Sequence, residues 1–113
     1  MASRKSKLKI EESSGNVFAD IGLPHPEEEL ARAQLSLHIM HFIKSRRMTQ
    51  KTAAKLMKVD QPKVSAIFNG HLEGFSSDRL LRMLTMLGQD VDITIRGSRR
   101  AGQRGRVFVR QAA

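Results

Sequence analysis

The segment TQKTAAKLMKVDQPKVSAIFNG, residues 49 to 70, constrains the fold more than any other part of the chain. It contains two short helical patterns separated by a break at residues 58 to 60, and the second pattern ends at Asn69 and Gly70. Helices of fewer than about 12 residues are marginal in water. The segment therefore predicts two helices that are stable only when packed in a larger domain. Their close connection suggests that their relative orientation is required for function.

Both helical patterns carry signals for their ends. Thr49 and Asp60 are residue types that cap helix N-termini, and Gly70 can end the second helix in a left-handed conformation. The side chains predicted to face inward are Ala53, Ala54, Met57, Val64 and Ile67. Two short helices with small residues at their crossing and a compact turn between them are typical of a helix-turn-helix unit.

Once Val64 and Ile67 point inward, the second helix keeps a polar and basic face. Its predicted outward residues are Gln61, Pro62, Lys63, Ser65, Ala66 and Asn69. Glutamine can bond adenine through two atoms, lysine reaches guanine edges or phosphate, and an alanine methyl can contact thymine. The major groove, about 12 Å wide, admits a helix. The prediction is double-stranded DNA binding, and the alternative is a helical hairpin whose basic face only meets water.

The net charge of +9 is sorted along the chain in a way that supports this prediction. Residues 1 to 9 sum to +4 and residues 96 to 113 to +6, but residues 44 to 70 form a separate block of +6. Residues 10 to 43 sum to −5. Because a phosphate-facing surface needs clustered Lys and Arg, the basic block points to the helical pair as the nucleic-acid surface.

The composition limits the other classes of function. A chain of 113 residues fits one domain with a modest core, and the absence of Cys excludes disulfides and thiolate zinc sites. His38 and His41 are three residues apart, but we expect them to meet water, so no metal or cofactor is predicted. No arrangement of catalytic residues is apparent, and an enzyme is not expected. The N-terminus lacks the apolar run of a signal peptide, which favours a cytoplasmic protein without membrane segments.

The helical pair is predicted to lie between two further helices. Pro26, the acidic residues 27 to 29 and the basic residues after position 43 mark the ends of a first helix, in which Leu35, Ile39, Phe42 and Ile43 form the apolar stripe. A last helix opens at residues 75 to 78 and runs to Leu87, with Leu80, Leu81, Leu84 and Leu87 facing inward. This arrangement predicts an all-α bundle.

After the last helix the periodicity changes from helical to alternating. Val91, Ile93 and Ile95 alternate with polar residues in VDITIR, the pattern of a half-buried strand. A single strand cannot satisfy its own backbone, and the only other candidate is the short VFV at residues 107 to 109. We therefore expect this strand to pair with its copy in a second subunit and form a two-fold dimer.

The motif resembles the lambda-repressor/Cro-like (XRE) family of DNA-binding domains in TQ at 49 and 50, AA at 53 and 54, VDQPKVS at 59 to 65 and NG at 69 and 70. The resemblance implies that Gln50 binds a phosphate and supports base-reading side chains, that Gln61, Pro62 and Lys63 read bases with Ala66, and that Asn69 contacts phosphate. The DNA-binding set implied by motif and residue chemistry together is Thr49, Gln50, Lys51, Gln61, Pro62, Lys63, Ser65, Ala66 and Asn69.

The sequence departs from the family pattern at two positions. Lys58 occupies the turn position where the family often has Gly, so either Lys58 adopts a left-handed conformation or the turn differs. Pro62 replaces a side chain that could read a base. Both departures concern the base contacts and leave the helix-turn-helix unit unchanged.

A narrower resemblance covers most of residues 13 to 96. SSGNVFADIGLPHPEEELARAQL and LGQDVDITIR are similar to HigA-type antitoxins, which implies a repressor of its own operon with a RelE/HigB-like ribonuclease toxin as partner. Val17, Phe18, Ile21 and Leu23 are then the partner-binding residues; the alternative is a strap over the helical core. Without a toxin, the chain would be a stand-alone XRE-family regulator.

The expected organisation has three parts. Residues 1–25 form a flexible basic arm with the partner-binding segment, residues 26–97 the DNA-binding domain with its terminal strand, and residues 98–113 an Arg-rich flexible tail. The tail could bind phosphates after folding on contact or remain a solvated extension.

Overall fold

The computed structural model describes residues 25–97, 102 and 104–112. Within these ranges it contains four helices: α1 (Pro26–Ser45), α2 (Gln50–Met57), α3 (Gln61–Phe68) and α4 (Ser77–Met86). The all-α class predicted from the sequence is confirmed. None of the described helices is both long enough and apolar enough to cross a membrane.

The first helix has the ends that its sequence predicts. It begins at Pro26, carries Glu27, Glu28 and Glu29 in its first turn and has Lys44 in its last turn. The glutamates lie at the positive end of the helix dipole and Lys44 at the negative end, which stabilises the helix at both termini. With 20 residues, α1 provides the long surface on which α3 and α4 pack, and α2 packs against those two helices.

One contiguous core lies between the four helices. Its buried members are Leu35, Ile39, Ile43, Ala53, Ala54, Met57, Val64, Ile67, Phe75, Leu80, Met83, Leu84 and Leu87. Phe42 and Leu81, which we expected in this core, are only partly buried at its margin. Phe42 lies beneath Arg46, whose guanidinium carbon is 5.1 Å from the ring centroid, so the ring shields the core edge while facing a cation.

The structure decides between the two alternatives for the turn between α2 and α3, a left-handed Lys58 or a different turn. Lys58 adopts the left-handed conformation, with φ of 55° and ψ of 46°. The Val59 amide then donates to the carbonyl of Ala54 at 3.0 Å, and Val59 packs against the core. The turn therefore keeps its compact form at a strain of roughly 1–3 kcal/mol for a non-glycine residue.

The strand predicted at residues 91 to 96 is not found. Residues 91 to 97 have no regular secondary structure, and Ile93 and Ile95 are 73% and 87% exposed. The physical reason is that a strand needs a neighbour for its backbone groups. The one candidate within the chain, residues 107 to 109, lies on α1 instead.

An extended segment, residues 104–112, lies along α1. The Val107 amide donates to Glu27 Oε1 at 3.0 Å and the Val109 amide to Gln34 Oε1 at 2.8 Å. Val109 is partly buried against the core. These contacts join residues that are 80 and 75 positions apart in the sequence.

Candidate nucleic-acid interface

The N-terminal end of α2 is closed by Thr49. Its Oγ1 accepts a hydrogen bond from the Thr52 amide at 3.0 Å, as an N-cap does, and also donates to the Thr52 hydroxyl at 3.0 Å. Thr49 and Lys51 are exposed on either side of the half-buried Gln50. The structure thus brings the first three residues of the predicted DNA-binding set together at one helix end.

The cap predicted at the start of α3 differs from the sequence interpretation. Asp60 occupies the N-cap position, but its side chain makes no capping hydrogen bond. Instead, its backbone carbonyl accepts from the Lys63 amide at 2.9 Å. Pro62 in the first turn has no amide hydrogen to satisfy, which reduces the need for a side-chain cap.

A hydrogen bond joins α2 to the middle of α3. Ser65 Oγ donates to Gln50 Oε1 at 2.8 Å, across 15 positions in the sequence. Because the Gln50 oxygen is the acceptor, its amide nitrogen keeps two donors for another partner. The bond fixes the relative rotation of the two helices and orients a donor group at their shared edge.

The two faces of α3 are clearly separated. Val64 and Ile67 are fully buried, and the Gln61, Pro62 and Asn69 side chains are exposed. Lys63, Ser65 and Ala66 are half-buried at the margin between these faces. The predicted outward set therefore lies on one side of α3, with its most accessible members at the two ends of the helix.

Several exposed basic side chains of the segment from residue 44 to residue 70 were missed as individual site candidates. Within residues 44 to 70, the exposed cations outside the predicted set are Lys44, Arg46, Arg47, Lys55 and Lys58. Lys44 lies 5.8 Å from the ring centroid of Phe68, a contact between the end of α1 and the end of α3. The basic block at residues 44 to 70 was the signal for these residues, but the chain positions alone did not show that Lys44 meets Phe68 of α3.

Arg32 supports the loop that follows α3. Its Nη1 donates to the carbonyls of Leu72 and Phe75 at 3.1 and 3.0 Å, and its Nη2 pairs with Glu29. Arg32 Nε is buried without a hydrogen-bond partner among the described residues. Sequence reasoning did not identify this residue, because its acceptors are backbone carbonyls 40 and 43 positions away.

Other predicted site residues lie elsewhere. Val17, Phe18, Ile21 and Leu23 fall outside the described residues. Val91, Ile93 and Ile95 are exposed in the segment after α4. The described residues contain no group of His, Cys, Asp or Glu side chains arranged to hold a metal ion.

Two comparisons with known proteins found matches to this chain. A family model described as "Helix-turn-helix domain" matches residues 17–96. A solved structure described as "Putative XRE Family Transcriptional Regulator" is 39% identical and superposes with a TM-score of 0.73, covering 79% of this chain and 100% of that chain. No protein of curated function matches the chain.

Proposed function

Because this chain belongs to the XRE-type helix-turn-helix family of transcriptional regulators, we propose that it is a sequence-specific repressor that places α3 in the major groove. The observation that carries the proposal is the division of α3 into an inner face that is fully buried and an outer polar face that is exposed at its two ends and half-buried at its margin. A helix anchored from behind in this way can present side chains to base edges without rearranging.

The base contacts are assigned to the outer face of α3. Gln61 can bond adenine through two atoms, Lys63 can reach a guanine edge or a phosphate, and Ala66 can contact a thymine methyl. Pro62 and Ser65 complete the surface against the groove. Each good base contact contributes about 1–3 kcal/mol of discrimination against the wrong base.

The phosphate contacts are assigned to the residues that flank α3. Gln50 presents amide donors at the end of α2, beside Thr49 and Lys51, and Asn69 is exposed at the end of α3. Phosphate contacts set the register of the protein on the duplex but carry no sequence information directly. Variants at these positions should weaken binding to all sequences alike.

A two-fold dimer on a palindromic operator is part of this proposal. Support comes from the exposed alternation of Val91, Ile93 and Ile95, which would be satisfied by the same segment of a second copy. Two α3 helices related by such an axis would address half-sites about 34 Å apart, one turn of the duplex.

More specifically, we propose that the chain is the antitoxin of a RelE/HigB-like ribonuclease toxin and that the chain represses its own operon. It is supported by the −5 charge of residues 10 to 43 and the apolar residues at 17 to 23, which complement a basic partner. The second candidate is a stand-alone XRE-family regulator without a toxin partner, and the similar solved structure is described as a transcriptional regulator. Co-expression with the neighbouring reading frame separates the two: growth rescue with a co-purifying complex supports the antitoxin, and a harmless neighbour without a complex removes it.

The DNA proposal is tested by footprinting the protein on its own upstream region at several salt concentrations. We expect a protected palindrome, with log affinity falling by about 0.9 per log unit of salt for each phosphate contact. Lys51→Ala should weaken specific and random DNA alike and Lys63→Ala should reduce base discrimination, while the exposed Arg82→Ala on α4 serves as control. Absence of any protected site at low salt contradicts the proposal.

A further inference from the structure

The C-terminal segment, residues 104–112, runs along α1 in the same direction as the helix. Its first residue, Arg104, lines an open depression at the N-terminal end of α1. Farther along the segment, the Val109 amide donates to Gln34 Oε1 at 2.8 Å. The Val109 carbonyl lies 3.4 Å from His38 Nε2. The last residues of the segment therefore lead towards the C-terminal end of α1.

Arg110 lies on the side of the segment that faces away from the core. Successive side chains of an extended chain point in opposite directions, and the Val109 side chain packs against the core. Its neighbours Phe108 and Arg110 therefore point outward, and both are exposed. The Arg110 guanidinium carbon is 5.0 Å from the Phe108 ring centroid. A guanidinium stacked on a ring can still use the donors at its edge to bind a phosphate through two hydrogen bonds.

The surface of α1 beyond His38 leads to the end of α3. His41 and Lys44 follow His38 at spacings of three residues, so the three side chains occupy neighbouring positions on one helix surface. Lys44 Nζ lies 5.8 Å from the ring centroid of Phe68, the last residue of α3. Residues 30–59 contain no Asp or Glu, so this part of α1 places no carboxylate beside the two cations.

The gap between Arg110 and Lys44 is short along the helix axis. Lys44 is six residues beyond His38, or about 9 Å at 1.5 Å per residue. Arg110 follows Val109 by one residue, which advances an extended chain by about 3.3 Å. Its backbone is therefore only about 6 Å short of Lys44 along α1, so the two long side chains can serve one continuous basic surface.

The two ends of the segment differ in their electrostatic surroundings. Arg104 shares its depression with Glu27 and Glu28, two carboxylates of the first turn of α1. These carboxylates offset the charge of Arg104 and repel a phosphate. Arg110 lies beside the part of α1 without acidic residues, so its end of the segment is the one suited to nucleic acid.

We infer that Arg110 is a phosphate contact of the DNA complex, and that its segment extends the binding surface from the end of α3 past Lys44 onto α1. This assignment rests on the duplex binding proposed above for α3. The segment lies beyond residues 17–96, which the family model matches, so the contact is an addition to the helix-turn-helix surface. Because phosphate contacts carry no sequence information directly, Arg110 strengthens binding to operator and random duplexes alike.

The test compares Arg110→Gln with Arg104→Gln in the full chain, two substitutions that remove the same charge from one segment. Affinity for a labelled random-sequence duplex of about 30 base pairs, three turns, is measured at several salt concentrations. For each subunit, Arg110→Gln should reduce the slope of log affinity against log salt by about 0.9. From about 50 to 200 mM salt, the variant then loses about 3.5-fold less affinity than wild type. Arg104→Gln should keep the wild-type slope.

A second variant tests whether α1 holds Arg110 in place. Val109→Pro removes the amide hydrogen that bonds Gln34 and leaves every charge unchanged. We expect it to lose most of the Arg110 contribution to the slope, and adding Arg110→Gln to it should have little further effect. Circular dichroism verifies that the helices of each variant are intact. A wild-type slope for Val109→Pro would overturn the inference, because Arg110 would then reach DNA without being held on α1.

Lys51→Ala separates a failure of this contact from a failure of duplex binding itself. A lower slope for Lys51→Ala with an unchanged slope for Arg110→Gln would overturn the role of Arg110 and leave that of α3 intact. If the wild-type chain bound no duplex even at low salt, the function proposed above would fail as well. Tighter binding of the wild-type chain to single-stranded RNA than to duplex DNA, lost in Arg110→Gln, would also overturn the inference, since the ligand of Arg110 would then be RNA.

Discussion

The outer face of α3 and the α1 stripe that carries Glu27 and Gln34 are both polar surfaces of helices, but they are completed in different ways. The α3 face is positioned by residues within the segment 49 to 70, including the Gln50–Ser65 hydrogen bond across 15 positions. The α1 stripe is completed by a segment 75 to 80 positions away. The difference shows that the α3 face is organised by contacts within one short segment, whereas the polar groups of α1 are satisfied by a distant segment of the same chain.

The largest expected effect comes from removing the anchor behind the α3 face. Ile67→Ala deletes a fully buried side chain of the common core and should lower the free energy of unfolding by about 2–5 kcal/mol. Urea denaturation measures this loss, with Leu56→Ala, at an exposed position, as the control. A loss below about 0.5 kcal/mol would mean that α3 is not held from behind.

The next effect tests whether the α3 face depends on α1. Arg32→Met keeps the aliphatic packing but removes the donors to the Leu72 and Phe75 carbonyls, and bonds to a charged group are each worth about 1.5–3 kcal/mol. We expect a lower melting temperature and weaker binding to specific DNA. Arg79→Met, which donates to the Gly74 carbonyl at the longer distance of 3.4 Å, is the matched control. Equal effects of the two substitutions would contradict a special role for Arg32.

A smaller effect should follow from removing the hydrogen bond that joins the two short helices, α2 and α3, without changing the core. Ser65→Ala removes the donor to Gln50 Oε1, and such a hydrogen bond contributes about 1 kcal/mol to stability. Binding to operator and to random duplex should both weaken, because Gln50 loses the bond that orients its phosphate-facing amide, and urea denaturation should show a loss of about 1 kcal/mol. Thr85→Ala, which removes a hydroxyl that donates to its own helix on α4, should change neither quantity. If the affinity for both duplexes survives Ser65→Ala, Gln50 is not oriented through Ser65.

The smallest effect has the opposite sign. Lys58→Gly relieves a left-handed non-glycine residue in the turn and should stabilise the domain by up to about 1 kcal/mol. Thermal unfolding measures the gain, and Lys55→Gly inside α2 should instead destabilise by about 1 kcal/mol. A destabilised Lys58→Gly would show that the lysine side chain contributes more than its backbone strain costs.

Local signals were sufficient for most of the helical framework. Pro26 with three following glutamates, Thr49 as a side-chain cap and Gly70 beyond α3 all operate within one or two helical turns, so the sequence identified them. The strand predicted at residues 91 to 96 was not found. The alternation of apolar and polar residues shows only that a segment is compatible with a β-sheet. Whether a partner strand is present depends on the rest of the fold.

The sequence by itself determined the four helices, the turn between α2 and α3 and the inward side of α3, since each follows from propensity, capping and periodicity over a few residues. Only the tertiary structure decided that Arg32 holds the loop after α3, that Lys44 meets Phe68 and that Val109 binds Gln34. These contacts join residues that are distant in the chain. Their choice depends on how the helices pack and which backbone groups then remain to be satisfied, and that information is not present in any local stretch.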